Sequence, residues 1–139
     1  MARTRLEPDS AERFVPLRRR LGVTSFGFNQ IVLRPGQRGR IHRHERQEEV
    51  YLVLEGELTL VVEGDESRLG AGEIIRVAPG VRRQLVNRRL DRLVLLAVGA
   101  AGEHQGRDGV AFASWEDEAG APPAELPLPS DLGADELRQ

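Results

Sequence analysis

Cysteine is absent from this chain. Disulfides, zinc fingers and thiol chemistry are thereby excluded, and the redox compartment is left open. Lysine is absent too, so all twenty basic residues are arginine. That rules out lysine Schiff-base chemistry. It also means that any cation available to hold an anion is a fixed guanidinium rather than a titratable amine. No apolar run approaches the length of a membrane span. Residues 1–10 are polar and lack the apolar segment of a signal peptide. The net charge of −2 gives no global attraction to nucleic acid or to an acidic membrane surface. No helix-turn-helix pattern is visible. A cytoplasmic protein without a nucleic-acid or membrane partner is the expectation.

What is present is enough for one domain. The 139 residues are 40% hydrophobic, which supports a real core. Residues 1–20 are charged and carry Arg18, Arg19 and Arg20 in a row. Phe14, Val15 and Leu17 suggest a short anchoring strand. The arginine run reads either as a phosphate contact or as a solvated end. Residues 23–33 favour strand, with Gly27 as the expected site of a bulge. Pro35-Gly36 is a turn signal. Strands are expected at 40–44, 49–54, 58–63, 67–69, 74–77, 84–86 and 93–98. Glu55-Gly56-Glu57, Gly64-Asp65, Gly70-Ala71-Gly72 and Pro79-Gly80 separate several of them. Short strands with turn signals at close spacing indicate an all-β sandwich or barrel. After Gly99 the chain loosens. Phe112 and Trp115 are placed to pack back on the barrel. Beyond them lie four prolines and seven acidic residues against one arginine. That tail reads as partly extended, with at most a helical turn at 134–138. His104 falls in a loop outside any motif.

The chemistry concentrates between Gly36 and Gly56, in GQRGRIHRHERQEEVYLVLEG. On a strand, side chains two apart share a face, so His42 and His44 point the same way with Cα atoms about 7 Å apart. Glu49 opens the strand-forming run Val50-Tyr51-Leu52-Val53-Leu54. If that run lies beside the histidine strand, its carboxylate meets both imidazoles. Two histidines and one carboxylate on one face of a metal leave positions open for water, oxygen or substrate. The plainer reading is a polar edge strand followed by a solvated charged turn.

The stretch resembles the first motif of the cupin superfamily: Gly, five residues, His-x-His, three or four residues, Glu, six residues, Gly. Gly36, His42, His44, Glu49 and Gly56 stand at those intervals. Glu48 fits the shorter gap, but only Glu49 puts the closing glycine six residues on. A second motif is partly matched: Gly72, Gly80 and Asn87 are in place, while Ala78 stands where proline is expected and Pro79 follows it. The position of the fourth metal ligand holds Arg83, which stays protonated and offers no lone pair.

The resemblance spans about residues 23–98. It implies an all-β fold, a double-stranded β-helix or cupin-type jelly-roll barrel. The expected divisions are a charged N-terminal arm over residues 1–20, a barrel core over 21–99 and an irregular Pro-rich, acidic C-terminal extension over 100–139, packing partly on the barrel. It implies one divalent metal, Fe, Mn, Ni or Zn, at His42, His44 and Glu49. It also implies a homodimer, because small cupins cover the outer face of one sheet with a partner's. Arg83, Arg40, Tyr51 and Arg76 are the candidates for contact with a small, anionic ligand, and Tyr51 and Arg83 are the catalytic candidates. Two classes stand open. One is a mononuclear metalloenzyme, such as a dioxygenase, isomerase or decarboxylase. The other is a metal-free binding or sensing module in which Arg83 pairs with Glu49.

Overall fold

The computed structural model describes residues 1–100 and 108–139. Ten strands form: β1 Phe14–Val15, β2 Gly27–Leu33, β3 Ile41–His44, β4 Glu48–Glu55, β5 Glu57–Val62, β6 Asp65–Gly70, β7 Ile74–Val77, β8 Gln84–Val86, β9 Leu93–Ala100 and β10 Gly109–Phe112. Among the described residues one α-helix, α1 Leu17–Leu21, lies between β1 and β2, and single 3-10 turns form at Pro123–Glu125 and Ala134–Glu136. None of the helices among the described residues is long and apolar enough to cross a membrane.

The strands make two antiparallel layers. One has the order β1-β2-β9-β4-β7. The other begins with β6-β5-β8 and continues through a bridge between His42 and Arg83 to β3 and then β10. Chain segments pass from layer to layer at corners. Gly56 makes one of them at φ 84°, and a Cβ there would meet the Arg92 carbonyl oxygen at 2.3 Å. Only glycine supplies that combination of positive φ and close approach. The β5–β6 hairpin turns at Glu63 and Gly64, both at positive φ, as a two-residue hairpin requires.

Alternation along the strands places one face inside. Leu33, Ile31, Val53, Leu58, Leu60, Leu69, Leu85, Leu93 and Leu95 close one end of the barrel with a dry aliphatic core. Towards the other end the inward residues change character. The inner row of β9 reads Leu93, Leu95, Ala97, Gly99, so its side chains shrink to nothing. Opposite them on β4 stand Val53 against Leu95, Tyr51 against Ala97 and Glu49 against Gly99. On β2, Asn29 faces Ala97. The taper opens a space, and polar groups line it.

Some expectations change in detail. Gly27 pairs regularly with Gly99 and marks no bulge; the ladder is interrupted instead between Val53 and Glu55. Phe14 and Val15 do form an edge strand, but Leu17 buries itself as the first residue of α1. The arginine run thus lies on a helical turn, ended by Gly22 in the left-handed conformation at φ 70°. Arginines in a last turn suit the helix dipole. Phe112 is buried in β10, with the Arg82 guanidinium 3.6 Å above its ring. The tail runs extended over the barrel, tied by Leu132 N–H to the Gly36 carbonyl at 2.8 Å. His104 lies outside the described residues.

Candidate metal centre

His42 and His44 project from β3 into the open end of the barrel, and Glu49 projects from β4. One ligand atom from each lies within 4.8 Å of the others. His42 Nε2 is 3.8 Å from Glu49 Oε1, and His44 Nε2 is 3.5 Å from Glu49 Oε2. The two imidazoles stand edge to face, with centroids 5.3 Å apart. Glu48, the alternative carboxylate, points outward on the same strand, where it accepts from Arg76 at 2.6 Å.

The tautomer of His42 follows from its neighbour. Its Nδ1 lies 3.1 Å from the Arg40 carbonyl oxygen, an acceptor, so Nδ1 donates there and Nε2 is the nitrogen turned towards Glu49. Nδ1 of His44 is buried without a hydrogen bond, and Asp108 Oδ2 stands 3.9 Å away. The Asp108 carboxylate is itself fixed, accepting the N–H groups of Arg46 and Gln47 at 3.0 and 2.9 Å. An imidazole with a carboxylate behind it and its other nitrogen turned to a shared point is the arrangement that orients metal-ligating histidines. The donor set fits a divalent ion: two imidazole nitrogens and one carboxylate oxygen, on one side only.

Glu49 has a second set of partners. Arg83 donates from Nη2 to Glu49 Oε1 at 2.7 Å, and the Tyr51 hydroxyl donates to the same oxygen. Arg83 also donates from Nε to the Tyr51 oxygen at 3.1 Å and from Nη1 to the Val81 carbonyl at 3.0 Å. The Arg83 side chain is 0% exposed. Burial pushes the Glu49 carboxyl up, but hydrogen bonds and charge from His42 and His44 outweigh it and hold the group well below its ordinary value. The guanidinium at 2.7 Å works in the same direction. Burial, reinforced by the Glu49 charge, pushes the Tyr51 phenol well up. Tyr51 therefore stays a donor. One carboxylate oxygen is thus occupied by protein donors, and Oε2 faces His44.

The cavity has two lobes that share His44 and Glu49 in their walls. The inner lobe, about 160 Å³, is bounded by Tyr51, Leu85, Ala97 and Arg40. The outer lobe, about 340 Å³, opens towards Arg18, Arg19, Asn29, Gln47 and Asp108. Arg40 belongs to the inner lobe, but its Nε is spent on the Leu126 carbonyl at 2.9 Å. Arg76 does not reach the site. It alternates outward from Ile75 and Val77 on β7, and its side chain is 58% exposed beside Glu48. Asn29, Asp108, Arg18 and Arg19 carried no site signal in the sequence beyond the arginine run itself. Asp108 precedes a short strand with no polar period, and Asn29 lies beside Gln30 in a strand that is otherwise apolar.

The family described as "Cupin domain" matches residues 29–99. A beta-D-galactosidase from Mycobacterium tuberculosis is 45% identical over 56 residues, covering 40% of this chain and 47% of that protein. That match thus spans about half of the relative's length. A sugar phosphate isomerase of the cupin superfamily from Silicibacter pomeroyi superimposes with a TM-score of 0.64 at 26% identity, covering 90% of this chain and 82% of the other. A cupin protein from Bacteroides fragilis superimposes at 0.61 with 22% identity over 72% of this chain and 84% of the other, a likeness of fold.

Proposed function

This chain belongs to the cupin family, and on that premise we propose that it binds one divalent metal in the barrel and acts enzymatically on a small, sugar-sized organic molecule. The observation that carries the reading is the convergence of His42, His44 and Glu49 within 4.8 Å on the wall common to both lobes of the cavity. The outer lobe, at about 340 Å³, sits at the small end of ligand pockets, which suits a metabolite rather than a polymer. The activities of the galactosidase and the sugar phosphate isomerase motivate the sugar class.

In this reading His42 Nε2, His44 Nε2 and Glu49 Oε2 hold the ion. A bound divalent cation supplies Lewis acidity, polarising a carbonyl or hydroxyl oxygen of the substrate. The chain's own residues do the rest. Arg83 and Tyr51 fix the Glu49 carboxylate by its other oxygen, so its lone pair towards the histidines is held in one direction. Asp108 places a carboxylate 3.9 Å behind His44 Nδ1. Tyr51, Leu85 and Ala97 make the inner lobe apolar and limit water there. We further propose a homodimer, with the outer face of the first sheet as its interface.

The second reading is a metal-free binding module. Its supporting observation is the fully buried Arg83, paired with Glu49 at 2.7 Å. Protein purified without a metal-affinity tag and supplied in turn with Fe, Mn, Ni and Zn separates the two. The expected result is about one ion per chain, lost in a His42→Ala, His44→Ala variant. Near-zero metal with every ion, or equal metal in parent and variant, would leave the binding module standing.

A further inference from the structure

Two of the three arginines nominated for an anion in the sequence are engaged elsewhere, and the third, Arg40 in the inner lobe, gives its Nε donor to a backbone carbonyl. Arg83 serves Glu49, Tyr51 and Val81; Arg40 serves the Leu126 carbonyl; Arg76 pairs outside with Glu48. The positive end of the cavity lies on α1 instead. Arg20 turns away and pairs with Glu7 at 2.7 Å. Arg18 and Arg19 line the outer lobe, whose wall also contains His44 and Glu49. Arg18 gives one donor to the Val23 carbonyl at 3.3 Å and keeps the remainder of its five. Among the described residues, no hydrogen bond or ion pair involves the Arg19 side chain.

The negative groups of that lobe do not answer these charges. The Asp108 carboxylate is taken by the N–H groups of Arg46 and Gln47. Glu49 is paired with Arg83. Arg18 and Arg19 therefore line a cavity whose carboxylates already have partners. Leu17, 2% exposed, anchors the helical turn that carries them, and Phe14, in the adjoining strand, lines both lobes.

We propose that Arg18 and Arg19 form the anion-binding end of the cavity and take an oxyanion group, phosphoryl or carboxylate, of a ligand whose other end reaches His44 and Glu49. Guanidinium groups match the planar, bidentate geometry of both oxyanions. The inference rests on the reading of this cavity as the substrate site, but not on the metal. It places recognition on the N-terminal arm and leaves the barrel floor for chemistry, so the two functions are separable by mutation.

The test is calorimetric titration of metal-free protein at low ionic strength with inorganic phosphate and, separately, succinate. Parent protein is expected to bind one of them at one site per chain. Arg18→Gln, Arg19→Gln is expected to weaken that binding by about tenfold or more. Arg19→Gln alone, which removes no contact within the protein, is expected to weaken it by a smaller factor. Arg3→Gln, Arg5→Gln, outside the cavity, is expected to bind as the parent does. Whether phosphate or succinate shows the arginine dependence identifies the oxyanion. The proposal is overturned if neither anion binds the parent. Equal binding in the parent and the Arg18, Arg19 variant overturns it as well. Metal titration of the same samples is scored separately: loss of metal with anion binding intact sinks the metal reading alone, and the reverse sinks only this one.

Discussion

His42 and Arg83 face each other as a doubly hydrogen-bonded antiparallel pair. His42 N–H donates to the Arg83 carbonyl at 3.0 Å, and Arg83 N–H donates to the His42 carbonyl at 2.9 Å. Residues so paired have Cα atoms about 5.5 Å apart and side chains on one face. The side chain at position 83 is thus delivered beside a ligand of the candidate centre by backbone geometry, whatever residue stands there.

Arg83→His should therefore raise metal affinity. The change adds an imidazole next to His42 and removes a guanidinium. At about 4 Å, that charge would repel a divalent ion by several kcal/mol at an effective dielectric of roughly 20. The expected gain is at least about tenfold, or ~1.4 kcal/mol. Competitive titration of parent and variant against a chelator measures it. Equal affinities would show that position 83 does not address the ion.

Glu49→Gln should destabilise the fold far more than Arg76→Gln. The first leaves a fully buried guanidinium without its counter-charge, which costs about 3 kcal/mol. For a chain of this size that lowers the melting temperature by roughly 10 °C. The second removes an exposed pair worth about 0.5 kcal/mol or less. Thermal melts of the two variants, side by side with the parent, give the comparison; similar losses would contradict it.

Asp108→Asn should weaken metal binding while sparing most of the fold. The amide keeps one acceptor for the N–H groups of Arg46 and Gln47 but removes the charge facing His44 Nδ1. Loss of such an outer partner costs about 10- to 100-fold in metal affinity. An unchanged affinity in a chelator titration would mean that His44 is oriented by packing alone.

The outer face of the first sheet should bring two chains together. Leu52 lies between Leu96 and Ile74 in register, Ile74 is 63% exposed and Leu54 is 36% exposed. A contiguous apolar face of this kind is rarely left to solvent. Light scattering at micromolar concentration should report a dimer for the parent and a monomer for Leu52→Glu, Ile74→Glu. A monomeric parent would refute the homodimer.

The barrel and the convergence of His42, His44 and Glu49 were legible because both depend on short-range pattern. Turn residues at fixed intervals marked the strands, and the two-residue period put His42 and His44 on one face. The position of Arg83 beside Glu49 was also countable, from Gly80 and Asn87. Arg76 misled because its strand reads as an apolar run, Ile74-Ile75-Arg76-Val77, and a run without clear alternation does not say which face is inside. Asn29 and Asp108 were invisible for a different reason. Asn29 meets the site only through the pairing of β2 with β9, and Asp108 only through its capture of the turn at Arg46 and Gln47. Such long-range partners leave no local period. The arginine run was noticed, but its direction depended on a helical turn that five residues with three consecutive arginines did not advertise.

The shrinking inner row of β9 has a consequence for how this protein can change its diet. Under the proposed function Ala97 would act as a depth gauge: each carbon added there would be taken from the space for a ligand, in a wall that contributes no donor to the candidate triad. Pocket discrimination by single methylene groups is worth about 1–3 kcal/mol. Gly99 has the finer tolerance, since a Cβ there would come to 3.0 Å from the Glu48 carbonyl oxygen and 3.2 Å from Gln47 Oε1. Under the proposed function, the ligand length admitted could thus change along one strand while the candidate metal ligands on β3 and β4 stay as they are.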